Sequence, residues 1–298
     1  MTRHFLEVDD LSAPELARVL QLGLEPERPR ILAGQTVGLY FEKPSLRTRH
    51  SCEVAVAQLG GHPVTFRAEE VGSDEREPLA DIARVLAGYH AVLGGRVYSH
   101  ATLETLAGAS AIPVINLLSD LGHPCQALAD LLTMQQEWGS LSGHTVAWIG
   151  DYNNVARSLC LAAARTGMAM RVASPPGYGP KDADVERLIA AGMPSAPHVT
   201  CRPVEAADGA DAVHTDVWAS MGHEAEADAR RRAFEGFIVD DAVMEAAPKA
   251  IFMHCLPAHR GEEVAASVVD GDRSRVFPQA HNRLHAFRGL LRFLIEEA

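Results

Sequence analysis

Val37-Gly38-Leu39-Tyr40-Phe41, followed at once by Glu42-Lys43-Pro44-Ser45-Leu46-Arg47-Thr48-Arg49, decides how the chain is read. The first five residues are a short apolar run of the kind that fills a strand buried on both faces. The next eight leave that strand and lead into a helix predicted over 48–59. A helix start offers free backbone N–H groups. Ser and Thr hydroxyls and an Arg fork surround them here, so the segment can hold a phosphate. The same residues also suit a plain N-cap with surface arginines. There is no Gly-rich stretch with a GK[ST] ending, which disfavours an ATP-binding loop.

Outward from this segment the pattern alternates. Apolar runs at 64–66, 91–97 and 113–118 read as strands, and 79–87 and 124–138 as helices. A Gly- and Ser-bearing stretch at 139–143 suits a hinge, and the pattern then restarts. Strands are predicted at 145–149, 170–173, 212–215 and 251–254, and helices at 154–166, 182–191 and 225–234. A last helix at 279–297 has an apolar face of Leu284, Phe287, Leu290, Leu291 and Leu294. Such alternation predicts an α/β protein of two doubly wound parallel-sheet halves, 1–138 and 139–298. The acidic stretch 69–77 reads as a solvated loop or as a lid over a site.

Composition narrows the function. A hydrophobic share of 47% with 22% charged residues is that of a globular chain, and no apolar run is long enough for a membrane span. The opening MTRHFLEVDDLSAPEL places acidic residues where a secretory signal has its apolar core. A net charge of −12 opposes general nucleic-acid binding but not a small anion in a local arginine pocket. The five cysteines (Cys52, Cys125, Cys160, Cys201 and Cys255) are scattered and lack a CxxC pair, so reduced thiols in a cytoplasmic protein are expected.

Five further places carry chemistry-bearing residues. Arg96 ends the strand at 91–97 and is either a solvated tip or a second cation for the same anion. His123-Pro124-Cys125-Gln126 opens a helix; His123 and Gln126, three apart, can face one pocket and donate to a developing oxyanion. A capping His with a surface Gln is the plainer alternative. Gly150-Asp151-Tyr152-Asn153-Asn154 follows the strand at 145–149 but lacks the GxGxxG pattern, so NAD is disfavoured and a small zwitterion suits the asparagines. Asp216-Val217-Trp218-Ala219-Ser220-Met221-Gly222 offers a carboxylate to an ammonium group, or is an ordinary loop. His254-Cys255-Leu256-Pro257 closes a strand with an X-Pro step where a cis bond fits. Cys255 could be a nucleophile, although a cysteine at a strand end is more often a small packed residue.

Taken together, FEKPSLRTR, HPCQ, DVWASMG and HCLP resemble the signatures of the ornithine carbamoyltransferase family, within the aspartate/ornithine superfamily. The first two are shared with the aspartate branch, and the last two mark the ornithine branch. The match extends to AHNR in the last helix. The resemblance implies two α/β domains, 1–138 for carbamoyl phosphate and 139–298 for ornithine, with helix 279–297 packing back on the first. It implies a homotrimer or a multiple of trimers, and neither a metal nor an organic cofactor. Transfer of a carbamoyl group to the δ-amine of ornithine would give citrulline and phosphate, in arginine biosynthesis or degradation. Ser45, Leu46 through its backbone, Arg47 and Thr48 would hold the phosphate, completed by Arg96, His123 and Gln126. Cys255 and Leu256 would line the reacting centre, and Arg283 would reach in from the last helix. Leu118, Asn154, Asp216, Ser220 and Met221 would bind ornithine. The catalytic set is thus Arg47, Arg96, His123, Gln126 and Cys255.

Three positions depart from the family pattern: Leu46 for a usual Thr, Leu117 for a frequent Gly, and His281 for a frequent Glu. None removes a charged group given a role in the chemistry. A related acceptor such as putrescine or N-acetylornithine is an alternative, against which Asp216 with Ser220-Met221-Gly222 favours ornithine. A catalytically silent binding paralogue is another, opposed by the intact Arg47, Arg96, His123, Gln126 and Cys255.

Overall fold

The computed structural model describes residues 2–71, 77–219 and 226–297. The chain divides into two compact units, Met1–Leu132 with His281–Ala298, and Thr133–Ala280. The division falls inside two helices, Pro124–Trp138 and Val276–Glu296. The last helix therefore belongs largely to the unit built from the chain's first residues. No helix among the described residues is long and apolar enough to cross a membrane.

In unit 1 the strands β1 (Thr36–Phe41), β2 (His62–Arg67), β3 (Val92–Arg96) and β4 (Val114–Leu118) form one sheet in the order β2-β1-β3-β4. Every pairing is parallel. β1 and β3 are buried almost end to end, as central strands covered on both faces must be, whereas the edge strand β2 is only partly covered. The chain steps from β1 to β2 on one side and to β3 and β4 on the other. The winding thus reverses between β1 and β3, where open α/β sheets leave a crevice beyond the strand ends.

Unit 2 repeats the plan with five strands: β5 (Thr145–Ile149), β6 (Ala169–Ala173), β7 (His198–Thr200), β8 (Ala212–Thr215) and β9 (Ile251–His254). Their order is β7-β6-β5-β8-β9, again parallel throughout, and the reversal lies between β5 and β8. The core of this unit packs Ile149, Val213 and Phe252 from the strands against Phe234, Val243, Met244 and Val268 from the connecting segments.

Several boundaries move from their sequence-based positions. The first motif helix is Leu46–Gln58, because Ser45 takes the cap and its Oγ accepts from the Thr48 amide at 3.3 Å. The second strand runs to His62–Arg67, since pairing with β1 extends it past its short apolar run. The last helix begins at Val276, as Pro278 is tolerated in a first turn. Helix 225–234 is Ala227–Ala233, and residue 225 lies outside the described residues. Within the acidic stretch 69–77, Ala68–Val71 is a short helix rather than loop, and 72–76 lie outside the described residues. Ala13–Leu24 and His100–Ala109 are additional helices, the former opened by a reciprocal Ser12–Glu15 capping box.

Candidate functional site

The end of β1 and the end of β3 set the first cluster. Phe41 and Arg96 are direct register partners, so Arg96 leaves its strand beside the FEKPSLRTR turn. Glu42 N–H donates to the Arg96 carbonyl and the Tyr98 N–H donates to Glu42 Oε2 at 2.6 Å, tying the two strand ends together. Arg96 is buried, which rejects the solvated-tip alternative. Thr48 is buried in the first helical turn, and Arg47 is half-buried beside it.

His123 stands at the mouth of the helix Pro124–Trp138, and its carbonyl accepts from the Gln126 and Ala127 amides. The preceding turn is fixed from below: Ser119 N–H donates to the Gly122 carbonyl, while Asn116 Nδ2 and the His100 ring both engage Ser119 Oγ. His123 is buried, and burial followed by the nearby Arg283 and Arg96 charges pushes its imidazole well below the ordinary range. It is therefore neutral near pH 7 and can donate from one ring nitrogen only.

Arg283, from the last helix, completes this cluster. Its Nη1 donates to Gln126 Oε1 at 2.6 Å and its Nη2 to Thr48 Oγ1 at 3.1 Å. Gln126 Nε2 donates in turn to Asp130 Oδ1 at 2.8 Å. One of the two N–H donors of the Gln126 amide is thus taken by Asp130, and the amide meets Arg283 with its oxygen. Asp130, fully buried one turn along the helix, had no signal of its own in the sequence beyond its i+4 spacing from Gln126.

The second cluster sits at the reversal point of the other sheet. Ile149 and Thr215 are register partners, as are Thr215 and His254. The residues just beyond these ends meet: Asn153 Nδ2 donates to Asp216 Oδ2 at 2.8 Å, and Cys255 Sγ donates to Asp216 Oδ1 at 3.0 Å. Asn153 also caps the helix Asn154–Thr166, its Oδ1 accepting from the Val155 and Ala156 amides. That cap places Asn154 at the helix start. Arg230 Nη1 bridges the Asp151 carboxylate and the Trp218 carbonyl, holding the Asp151 and Trp218 segments together.

Behind Cys255 lies a buried polar support. His254 Nδ1 accepts from the Leu256 N–H at 2.9 Å, so its proton is on Nε2, which faces Glu263 Oε1 at 3.1 Å. The same oxygen accepts from the His259 N–H. Leu256 has φ 58, a left-handed conformation that β-carbon-bearing residues avoid, and the Leu256–Pro257 bond is cis as the sequence suggested. Asp216, His254 and Cys255 could crowd round one cation. Both His254 ring nitrogens, however, are already engaged by Leu256 and Glu263. The Cys255 thiol gives its hydrogen to the Asp216 carboxylate, so in this arrangement it serves as a hydrogen-bond donor to the group assigned to the amine.

Leu118 ends β4 as the register partner of Arg96. Ser220 and Met221 lie outside the described residues. The three departures are locally benign. Leu46 is 71% exposed, so its side chain takes no part in the cluster. Leu117 is buried and fills the space above Gly94, where a Cβ would come within 3.0 Å of it. His281 is exposed on the last helix. All five cysteines are free, and burial pushes the Cys125 thiol up to about 12.

Two family models match the chain. Residues 3–136 fit the carbamoyl-P binding domain of aspartate/ornithine carbamoyltransferases, and 142–294 fit their Asp/Orn binding domain. An ornithine carbamoyltransferase of Acidothermus cellulolyticus is 48% identical over 306 residues, covering 100% of this chain and 98% of that protein. The solved ornithine carbamoyltransferase from Pyrococcus furiosus superposes with a TM-score of 0.93 at 41% identity, covering 99% of this chain and 98% of that one. The enzyme from Thermus thermophilus gives a TM-score of 0.90 at 42% identity, covering 99% and 100%.

Proposed function

The chain belongs to the aspartate/ornithine carbamoyltransferase family, and from that premise we propose that it moves the carbamoyl group of carbamoyl phosphate to the δ-amine of L-ornithine, giving L-citrulline and phosphate. The observation that carries the donor half is the cluster of Arg96, His123, Gln126, Thr48 and Arg283 at the sheet reversal. The acceptor half rests on the Asp216 carboxylate, flanked by Asn153 and Cys255 at the reversal of the second sheet.

In this reading Ser45, the Leu46 amide, Arg47 and Thr48 hold the phosphate, and charge-assisted bonds neutralise it as it leaves. Arg96 and the neutral His123 donate to the carbonyl oxygen as the carbon becomes tetrahedral. Gln126 and Arg283 meet the carbamoyl end, with Cys255 and Leu256 against the reacting centre. Leu118, Asn154, Asp216, Ser220 and Met221 take ornithine, with Asp216 orienting an amine. A free alkyl amine has a pKa of about 10.4, and nearby arginines lower it, so the attacking nitrogen is delivered neutral. The nitrogen forms a bond to the carbonyl carbon, the C–O bond to phosphate breaks, and the departing phosphate takes the amine proton. Positioning and electrostatics then supply most of the acceleration, without a dedicated protein base. Residues 1–138 would serve the donor and 139–298 the acceptor. The assembly would be a homotrimer or a multiple of trimers, in the cytoplasm.

Citrulline formation from ornithine and carbamoyl phosphate is the test, with putrescine and N-acetylornithine as rival acceptors. Arg47→Ala should lose nearly all turnover, and near-normal citrulline output from that variant would refute the assignment. Light scattering on the purified chain reads the assembly.

A further inference from the structure

Gln126 is held between two partners of opposite kind. Its Nε2 donates to Asp130 Oδ1 at 2.8 Å and its Oε1 accepts from Arg283 Nη1 at 2.6 Å. An amide has nearly the same shape either way round, so only its partners determine which end carries the oxygen. A carboxylate only accepts and a guanidinium only donates. Turning the amide over would set oxygen against oxygen at Asp130 and N–H against N–H at Arg283. Both Gln126 and Asp130 are buried, so neither clash could be relieved by water. Burying a carboxylate is itself unfavourable, and here its oxygen is used on the amide nitrogen.

We propose that Asp130 is a positioning residue that fixes Gln126 with its oxygen as the face offered to the donor substrate, so that the site selects an NH2 group on the acyl carbon of an acyl phosphate. The inference rests on the proposed function for the identity of that substrate. Gln126 Oε1 takes one bond from Arg283 and keeps a second lone pair for an N–H donor. A carbamoyl NH2 supplies that donor, and an acetyl methyl group does not. Asp130 touches no substrate. It acts by accepting one of the two Nε2 hydrogens, which keeps the amide from turning over and placing its NH2 where the substrate needs an acceptor. The charge matters less than the acceptor atom, so an asparagine oxygen should serve and an aliphatic side chain should not.

Binding of carbamoyl phosphate, acetyl phosphate and inorganic phosphate to the full chain, by calorimetry, tests this. The wild-type chain should prefer carbamoyl over acetyl phosphate. Asp130→Leu should shrink that preference about fivefold to tenfold, the size of one hydrogen bond. Inorganic phosphate affinity should stay the same, and Asp130→Asn should retain the preference. In a Gln126→Leu background the Asp130→Leu change should leave the ratio unmoved, since the residue acts only through the amide. If Asp130→Leu fails to fold, Asp130→Ala frees the same amide and is measured instead. An equal loss for all three ligands would mean a collapsed site and would overturn the proposal, as would an unchanged ratio. Absence of citrulline formation by the wild-type chain would instead refute the proposed function, a separate result from the ligand ratios.

Discussion

Cys255 stands 3.0 Å from Asp216 with its thiol hydrogen directed at Oδ1. The sulfur at the centre of the HCLP segment is therefore a hydrogen-bond donor that orients a carboxylate. Cys255→Ala should keep citrulline formation within about tenfold, through the loss of one modest bond. Asp216→Ala should cost far more, mainly in the KM for ornithine. Steady-state kinetics on both variants decide the matter, and complete inactivity of a folded Cys255→Ala protein would reinstate a covalent step.

The neutral His123 gives stability a pH dependence of known sign. Its folded pKa lies well below the ordinary 6.5, so just below pH 6.5 the unfolded chain binds more protons than the native one. Its contribution is fully present above that pH and is lost as pH falls through the window beneath it. His4, His90 and His285, lowered first by burial, act in the same direction. Urea midpoints should fall between pH 7.5 and 5.5, and less steeply in His123→Gln. A slope identical in the variant would show that the imidazole is not held neutral.

Glu263 supports the Cys255–Leu256 turn from the core. Glu263→Ala would leave the His254 Nε2–H and the His259 N–H without their common acceptor, both meeting Oε1 now. A loss of roughly 2–4 kcal/mol is expected from two such groups. Glu263→Gln, which retains an oxygen there, should lose much less. Denaturant titration of the two variants, with the alanine no less stable than the glutamine, would dismiss the support.

Gly289 is a packing constraint. A Cβ on it would lie 2.4 Å from the Val19 carbonyl oxygen and 2.6 Å from the Gly23 nitrogen, so the last helix and Ala13–Leu24 meet backbone to backbone. Gly289→Ala should destabilise by about 1–3 kcal/mol. Gly108→Ala, in the helix His100–Ala109 with open space around it, should be neutral or stabilising by up to about 1 kcal/mol. Thermal melts that fail to separate the two would argue against that close approach.

The sequence makes the strand ends visible because the polar motifs directly follow apolar runs, and those runs are what a parallel sheet buries. Phe41, Ile149, Thr215 and His254 all end strands next to the residues given roles. What stays hidden is who partners whom. The Phe41–Arg96 register depends on the chain's crossovers. Arg283 and Gln126 meet across 157 residues of separation. Asp130 and Glu263 carry no motif, because a buried carboxylate with a private partner looks in sequence like any solvated acid. Ala13–Leu24 is different: the Ser12–Glu15 box and the buried Leu16, Val19 and Leu20 at helical spacing are legible signals, which a reading centred on strand–helix alternation passes over.

The discontinuous unit has a consequence for synthesis. All residues of unit 2, Thr133–Ala280, precede the His281–Ala298 stretch in synthesis, but unit 1 needs that stretch to finish. Until that stretch emerges, Thr48 and Gln126 lack Arg283 and the N-terminal sheet lacks its closing helix. The unit whose synthesis begins first is thus the last to have all its residues. A nascent chain stalled before residue 281 would display an anion site short of one of its guanidinium groups.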